Sequence, residues 1–145
     1  MIISEKLPSC LDIVPQFVST VIDELKQLGL SMEELFDVKL CLDEALVNAI
    51  KHGNKFSPDL QTEVKVTAED GVLSIEVKDK GSGFDFTKIP NPTEEDNLHK
   101  NSGRGVFLIK KHMDRVEHFD CGRTIRMIKF LKRGGDPSED QRRKA

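Results

Sequence analysis

Hydrophobic residues recur at spacings of three and four over residues 13–28, the pattern of one apolar helix face. Asp12 is placed to cap this helix, Pro15 fits its first turn, and Gly29 is placed to end it. We predict an amphipathic helix whose apolar face belongs to the core rather than to a partner surface. Its apolar positions are Val14, Phe17, Val18, Val21, Leu25 and Leu28.

A second helical pattern begins at Ser31, which forms a Ser-x-x-Glu capping box with Glu34. The pattern continues to about His52, where Gly53 and Asn54 are placed to end it. The first third of the chain is therefore predicted to hold two helices joined by a short turn. The apolar positions of the second helix are Leu35, Val38, Leu42, Ala45, Leu46 and Ala49.

Apolar and polar residues alternate over 62–68 and again over 72–78, which predicts two strands with one buried and one solvated face. The segment Glu69-Asp70-Gly71 between them suits a hairpin turn. Residues 115–119 and 124–131 have the same strand character and are joined by a short turn. We therefore predict two antiparallel hairpins.

The periodic pattern stops over residues 84–102, where prolines and asparagines replace apolar positions. A loop of this length in a compact domain is typical of a functional lid or a disordered segment. A short helix is predicted over 103–114, and the charge-rich tail 132–145 is predicted to be disordered. This order of elements predicts an α+β fold for one domain over 1–131, a two-layer sandwich of helices on one face of a mostly antiparallel mixed sheet.

Composition narrows the function classes. The 145 residues, 37% hydrophobic and 32% charged, suffice for one domain with a core and are too apolar for a disordered chain. A net charge of −3 and the lack of Trp and Tyr argue against a nucleic-acid binder. No apolar run approaches about 20 residues, and the start has no signal-peptide pattern. We expect a cytoplasmic protein with no direct contact to nucleic acid or membrane.

The three cysteines, Cys10, Cys41 and Cys121, are far apart in the chain. No Cys-x-x-Cys pair exists, so neither a zinc site nor a redox motif is predicted. We expect ordinary thiols in a reducing compartment.

Three polar residues of the second helix, Glu44, Asn48 and His52, are spaced by four and form one stripe. Carboxylate and carboxamide oxygens in this relation are ligands for a hard cation or a water. The spacing alone also fits a solvated helix face. The apolar residues around Asn48 nevertheless make it an unusual surface residue, and His52 has no partners for a zinc site.

A second polar segment follows the first hairpin, where Asp79 ends a strand and Gly81 and Gly83 come after it. Glycines allow close approach of the backbone to a ligand, and a carboxylate accepts hydrogen bonds from donors such as an exocyclic amine. By itself the Asp-x-Gly-x-Gly pattern also fits an ordinary turn. It is not the dinucleotide fingerprint, which needs a further glycine three residues on.

A third segment, Gly103-Arg104-Gly105, opens the predicted short helix. The free N–H groups and the dipole of a helix start favour phosphate, and an arginine adds a fixed positive charge. Glycines before a helix also occur for packing reasons. No Gly-x-x-x-x-Gly-Lys-Ser/Thr element exists in the chain, which excludes a P-loop.

Together and in this order, the three segments resemble the ATP-binding domain of the GHKL (histidine kinase-like) family. Type II topoisomerases, Hsp90 chaperones, bacterial histidine kinases and mismatch-repair ATPases share this domain. Glu44 and Asn48 resemble its N-box, and the resemblance covers about residues 8–131. The first glycine box is resembled by Asp79-x-Gly81-x-Gly83 and the second by Gly103-x-Gly105.

Within the family the chain is most similar to the anti-sigma factor serine/threonine kinases. The similarity rests on Glu-Ala-x-x-Asn-Ala-Ile-x-His-Gly, which begins at Glu44, and on Gly-Arg-Gly-x-x-Leu-Ile-x-x-x-Met-Asp, which begins at Gly103. The resemblance implies a Bergerat-type fold and a site for ATP and Mg²⁺.

The resemblance also implies a role for each site residue. Glu44 would be the catalytic general base, Asn48 the Mg²⁺ ligand, and Asp79 the acceptor for the adenine amino group. Thr124 would support Asp79, although Gly122-Arg123-Thr124 departs from the commoner Gly-Thr pattern. The residues implied to contact the nucleotide are Asn48, Asp79, Gly81, Gly83, Gly103, Arg104, Gly105 and Thr124.

The function implied by the resemblance is an ATP-dependent kinase that also binds a sigma factor. Its substrate would be an anti-anti-sigma factor with a STAS domain, and a homodimer is a family expectation. An alternative is a regulatory module that holds nucleotide without transferring phosphate. Glu44 argues against that alternative, because a pure binder needs no base. A histidine-kinase fragment is disfavoured, because no histidine lies in a helical dimerisation context.

Overall fold

The structure is a computed structural model and describes residues 1–81 and 108–132 of the chain. The predicted lid over 84–102, the start of the predicted short helix and the predicted disorder after Lys132 lie outside the described residues. Residues 108–112 are helical. In chain order the elements are β1 (Ile2–Leu7), a 3₁₀ turn (Leu11–Ile13), α1 (Val14–Gln27), α2 (Met32–Val47), a π-helical turn (Asn48–Gly53), β2 (Thr62–Glu69), β3 (Val72–Lys78), β4 (Arg115–Phe119) and β5 (Thr124–Phe130).

The five strands form one sheet in the order β1-β2-β3-β5-β4. We expected a mostly antiparallel mixed sheet, and all four pairings among the described strands are antiparallel. Strand β1 was not predicted. It is an edge strand with five of its six residues outside the buried class, so its sequence lacks the alternation that a half-buried strand shows.

The sheet has an inner face covered by the helices and an outer face on which none of the described helices lies. On β3, Leu73, Ile75 and Val77 are buried, whereas the residues between them are partly exposed. Paired residues on β2, such as Val64 and Val66, are buried on the same face. This arrangement confirms the α+β prediction of helices on one side of a sheet.

Helix α1 contributes its predicted apolar face to this core, except that Leu28 is 52% exposed. Asp12 does not cap the helix as predicted, because it lies inside the 3₁₀ turn that precedes α1. Gly29 has a φ of 88°, so it ends the helical segment with the left-handed conformation that glycine adopts without strain. None of the described helices is long and apolar enough to span a membrane.

Helix α2 begins with the predicted capping box. The Ser31 hydroxyl accepts from the Glu34 backbone N–H at 3.1 Å, and the Glu34 carboxylate accepts from the Ser31 N–H at 2.9 Å. The second Glu34 oxygen accepts from the Lys132 N–H at 2.7 Å. This buried carboxylate therefore caps the helix and attaches it to the end of β5.

One turn further along, Asp37 connects α2 to the C-terminal part of the sheet. Its Oδ1 lies 3.0 Å from His112 Nδ1, and its Oδ2 accepts from Lys129 Nζ at 3.0 Å. Cys41 packs beneath this cluster and is fully buried, which raises the pKa of its thiol to about 12, with Asp37 adding to the effect. The first half of α2 is thus fixed against residues 108–112 and β5.

Candidate functional site

The helix that carries the polar stripe changes its geometry where the stripe lies. Helix α2 ends at Val47 and continues as the π turn, whose bonding includes the Asn54 N–H to the Ala49 carbonyl at 2.8 Å. Such π turns are often found at functional sites. Glu44 and Asn48 are half-buried, and neither side chain bonds to another residue in 1–81 or 108–132. Within the described part of the chain no residue occupies their oxygens, so these atoms can contact a ligand.

The π turn brings the end of the stripe against the end of β3. A side-chain carbon at Gly53 would lie 2.8 Å from Asp79 Cβ, and one at Gly81 would lie 2.7 Å from the Gly53 carbonyl carbon. Gly53 does not adopt the left-handed conformation of a helix-ending glycine. Its lack of a side chain is instead required because Asp79 and Gly81 approach it so closely.

Asp79 is buried at the end of β3, with 8% of its surface exposed. Its Oδ1 accepts from the Gly81 N–H at 2.9 Å. Burial raises the pKa of this carboxyl above its ordinary value, while the Gly81 hydrogen bond and the nearby Arg123 oppose the rise. The site therefore holds a carboxylate that lacks full solvation, and such a group gains from an additional hydrogen-bond donor.

Asn54 fixes the turn that carries Asp79, a role that the sequence pattern did not reveal. It is 2% exposed, and its Nδ2 donates to Ser9 Oγ at 3.1 Å and to Thr62 Oγ1 at 3.2 Å. Its Oδ1 accepts from the Lys80 N–H at 2.7 Å. In sequence Asn54 resembles an ordinary helix-ending residue, and only the fold brings its three partners together.

Thr124 lies at the start of β5, opposite the end of β3 that leads into Asp79. The register pairs Thr124 with Lys78, and directly paired residues share a face of the sheet. Lys78 and Thr124 line a shallow groove on the outer face together with Glu76, whereas Asp79 belongs to the inner side. The expectation that Thr124 supports Asp79 stays a prediction, and the neighbour bonded to Asp79 directly is Arg123, whose carbonyl accepts from the Asp79 N–H.

His52 carries the one buried side-chain nitrogen or oxygen without a hydrogen-bond partner within the described residues, its Nε2. Burial lowers the pKa of this imidazole, and the neighbouring Lys51 lowers it further. Both effects favour the neutral form of His52. Within residues 1–81 and 108–132, no group of three or more His, Cys, Asp and Glu side chains is arranged to hold a metal.

Comparison with known protein families decides what kind of domain this is. Residues 7–129 match the histidine kinase-like ATPase domain, which covers most of the chain. This chain belongs to the histidine kinase-like ATPase family. The match includes the polar stripe, the Asp79 turn, all of β2, β3 and β4, and β5 except Phe130, whereas only Leu7 of β1 lies within it.

Curated relatives of this ATPase domain carry regulatory names. The chain is 29% identical over 140 residues to a serine-protein kinase RsbW of Staphylococcus epidermidis, an alignment that covers 90% of this chain and 87% of the relative. It is 33% identical over 120 residues to an anti-sigma F factor of Bacillus velezensis, covering 79% and 82%. It is also 32% identical over 118 residues to the anti-sigma F factor of Bacillus cytotoxicus, covering 77% and 80%.

For a histidine kinase-like ATPase, the structure brings two of the three predicted segments together. The stripe with Glu44 and Asn48 leads directly into the π turn, and this turn contacts Asp79 and Gly81. Apart from Thr124 on β5, the other predicted nucleotide contacts lie outside the described residues. These are Gly83, Gly103, Arg104 and Gly105.

Proposed function

We propose that this protein is an ATP-dependent serine/threonine kinase and anti-sigma factor. In this proposal it binds a sigma factor and phosphorylates an anti-anti-sigma partner with a STAS domain. The observation that carries the proposal is the contact of the stripe-bearing π turn with Asp79 and Gly81, inside an ATPase-family domain. Relatives named serine-protein kinase and anti-sigma F factor support the choice of partner class.

Asp79 and the nearby glycines form the base end of the proposed site. Asp79 accepts a hydrogen bond from the amino group of adenine, and Gly81 allows the backbone to approach the nucleotide. The raised pKa of this carboxyl reflects incomplete solvation, so a donor from the base improves its surroundings. The proposed contacts to the rest of the nucleotide are Gly83, Gly103, Arg104 and Gly105, with Arg104 on a phosphate.

Glu44 and Asn48, which lie one helical turn apart, form the reactive end of the proposed site. Glu44 is the proposed general base, which takes the proton of the attacking serine or threonine hydroxyl as its oxygen bonds to the γ-phosphorus. The bond from that phosphorus to the bridging oxygen breaks, and ADP leaves. Glu44 suits this role because its half-buried carboxylate makes no hydrogen bond or ion pair to the described residues.

Asn48 is the proposed protein ligand of Mg²⁺. Its carboxamide oxygen is a hard donor, and Glu44 lies one turn before it on the same stripe. Mg²⁺ in kinase sites is usually held by one or two protein oxygens together with substrate phosphates and waters. The residues fit this mode, and when bound, Mg²⁺ would neutralise charge on the phosphates.

The proposed partners define where and how the protein acts. A sigma factor and its regulators are cytoplasmic proteins, so the proposed activity is cytoplasmic and needs no direct contact with nucleic acid or membrane. The net charge of −3 is compatible with regulation through protein partners instead of DNA binding. A homodimer is part of the proposal as a family expectation.

Transfer of labelled phosphate from ATP to the cognate STAS-domain protein tests the proposal. Wild type is expected to label the partner on serine or threonine, and Glu44→Ala is expected to slow transfer by about a thousandfold while retaining ATP binding. Glu33→Ala is the matched control, because Glu33 is an exposed carboxylate in the first turn of the same helix. Absence of labelling by wild type would contradict the kinase function.

The second candidate is a module that holds nucleotide without transferring phosphate. In both candidates Asp79 and the nearby glycines hold the base. The candidates differ in the role of Glu44, which is a general base only in the kinase. If wild type and Glu44→Ala bind ATP equally and neither labels a partner, this candidate replaces the kinase.

A further inference from the structure

The turn that carries Asp79 is held by two side chains from different parts of the fold. Asn54 accepts from the Lys80 N–H at 2.7 Å, and Arg123 Nε donates to the Gly81 carbonyl at 2.7 Å. These contacts fix consecutive residues of the turn. The direction of the Asp79 carboxylate is therefore set by the protein before any ligand arrives.

Arg123, the residue just before β5, is bonded through its backbone to Asp79, the residue just after β3. The Asp79 N–H donates to the Arg123 carbonyl at 2.9 Å, one step beyond the pair of Lys78 and Thr124. The Arg123 guanidinium also lies 3.4 Å from an oxygen of Asp120. Arg123 thus contacts the Asp79 turn through both its backbone carbonyl and its side chain.

The strand also provides a natural contrast to Arg123. Arg126 lies three residues later, on the outer face, where its guanidinium lies 2.6 Å from Glu76 and 4.7 Å from the centre of the Phe119 ring. Its partners are side chains of β3 and β4, and it does not contact the Asp79 turn. Two arginines of one hairpin therefore have similar chemistry and different faces.

We infer that Arg123 is a positioning residue that determines which purine base the site accepts. By holding the Gly81 carbonyl, its guanidinium orients Asp79 so that a purine with a 6-amino donor is favoured over one with a 6-oxo acceptor. This inference rests on the proposed function, in which Asp79 receives the base. It adds a specificity residue that lies outside the three predicted segments.

The physical basis is that the two kinds of ligand differ only in the base. Ribose and phosphates are common to ADP and GDP, so loosening the turn affects them equally. In the proposed site the 6-position of the base faces Asp79, and at that position only a 6-amino purine donates a hydrogen bond. Losing the orientation of Asp79 therefore lowers the affinity for ADP more than that for GDP. The ratio of the two affinities therefore separates positioning from general damage to the site.

The test measures the affinity of the full chain for Mg-ADP and Mg-GDP by titration calorimetry. Wild type is expected to prefer ADP, and Arg123→Gln is expected to reduce the ADP-to-GDP ratio by about tenfold, the value of one charge-assisted hydrogen bond. Arg126→Gln removes the same charge from the outer face and is expected to leave the ratio within about twofold.

Arg123→Lys keeps the charge but not the planar fork that reaches the carbonyl, so an intermediate ratio is expected. Arg123→Lys also replaces Arg123→Gln as the test variant if the latter fails to fold, which thermal unfolding will show. A wild-type ratio in either Arg123 variant, or an equal loss of both ligands, would overturn the inference and leave the proposed function intact. Wild type that binds neither nucleotide, or prefers GDP, would overturn both.

Discussion

Helix α2 has carboxylates near both of its ends, and their surroundings differ. At the first end, Glu34 and Asp37 are bonded to the capping residue, to β5 and to residues 108–112. At the second end, Glu44 bonds to none of the described residues. The comparison separates two uses of the same chemical group, since a carboxylate with internal partners stabilises the fold, whereas one without them is available for a ligand or a reaction.

Breaking the first end of α2 should have the largest effect on stability. Asp37→Ala leaves Lys129 without its carboxylate partner in a place where its side chain is only 14% exposed. We expect the free energy of unfolding to fall by about 3 kcal/mol, because an uncompensated charge remains in a poorly solvated position. Urea unfolding measures this change, and the affinity for Mg-ADP should be unaltered.

Asp23→Ala is the control for this change, because Asp23 is exposed on α1. It should alter the free energy of unfolding by less than about 0.5 kcal/mol. If Asp37→Ala weakened ADP binding without altering stability, the assignment of this end to stability would be wrong.

Disturbing the second end should have a smaller effect on stability and a clear effect on binding. In Gly53→Ala the new methyl group meets the Asp79 side chain, and relieving this overlap should cost about 2 kcal/mol. Because the relief moves Asp79 or the π turn, we expect the affinity for Mg-ADP to fall as well. Calorimetric titration and thermal unfolding measure the two effects on the same sample.

Gly29→Ala provides the matched comparison. A methyl group there meets no atom within 4 Å, but the φ of 88° is strained for alanine and should cost about 1 kcal/mol. ADP affinity should not change. Equal binding losses in both variants would show that the Gly53 effect is an unspecific result of destabilisation.

The smallest expected effect concerns the charge of Asp79. Because burial raises its pKa in the folded state, this carboxylate costs stability at neutral pH. The cost begins to shrink as the pH falls through the folded pKa and is gone below the unfolded pKa. Asp79→Asn should therefore unfold at slightly higher denaturant concentration at pH 7 while losing affinity for ADP. When the pH is lowered, Asp79 in wild type is protonated at a higher pH than an exposed aspartate. The affinity for ADP should therefore begin to fall at that higher pH.

Asp43→Asn is the control, because burial also raises the pKa of Asp43 and this residue has no proposed contact with the nucleotide. It should show the same sign of stability change and normal ADP binding. Unchanged ADP affinity in Asp79→Asn would remove the basis for placing the base there.

The parts of the fold that could be predicted are those determined by neighbours in the chain. The capping box joins Ser31 to a residue three positions on, and the Asp70-Gly71 turn needs only two residues with positive φ, which it has. The alternation of β2 and β3 follows from one buried face. Each of these signals is complete within fewer than ten residues.

The unpredicted parts depend on residues distant in the chain. Asn54 acquires its role from Ser9, Thr62 and Lys80, and Arg123 acquires its role from Gly81, 42 residues away. The widening of the helix at Asn48 has no simple pattern of residue types. The general location of the candidate site was therefore predictable, whereas the contacts that Asn54 and Arg123 make to the Asp79 turn were not.

The buried thiol of Cys41 can report the separation of α2 from the sheet. Cys10 and Cys121 are exposed, so a thiol reagent will modify them quickly, while the third sulfur is protected until α2 separates from the sheet. With the two exposed cysteines replaced by serine, the labelling rate of Cys41 measures how often α2 separates from the sheet. This measurement would show whether a nucleotide bound near the C-terminal end of α2 slows the separation of the helix from the sheet.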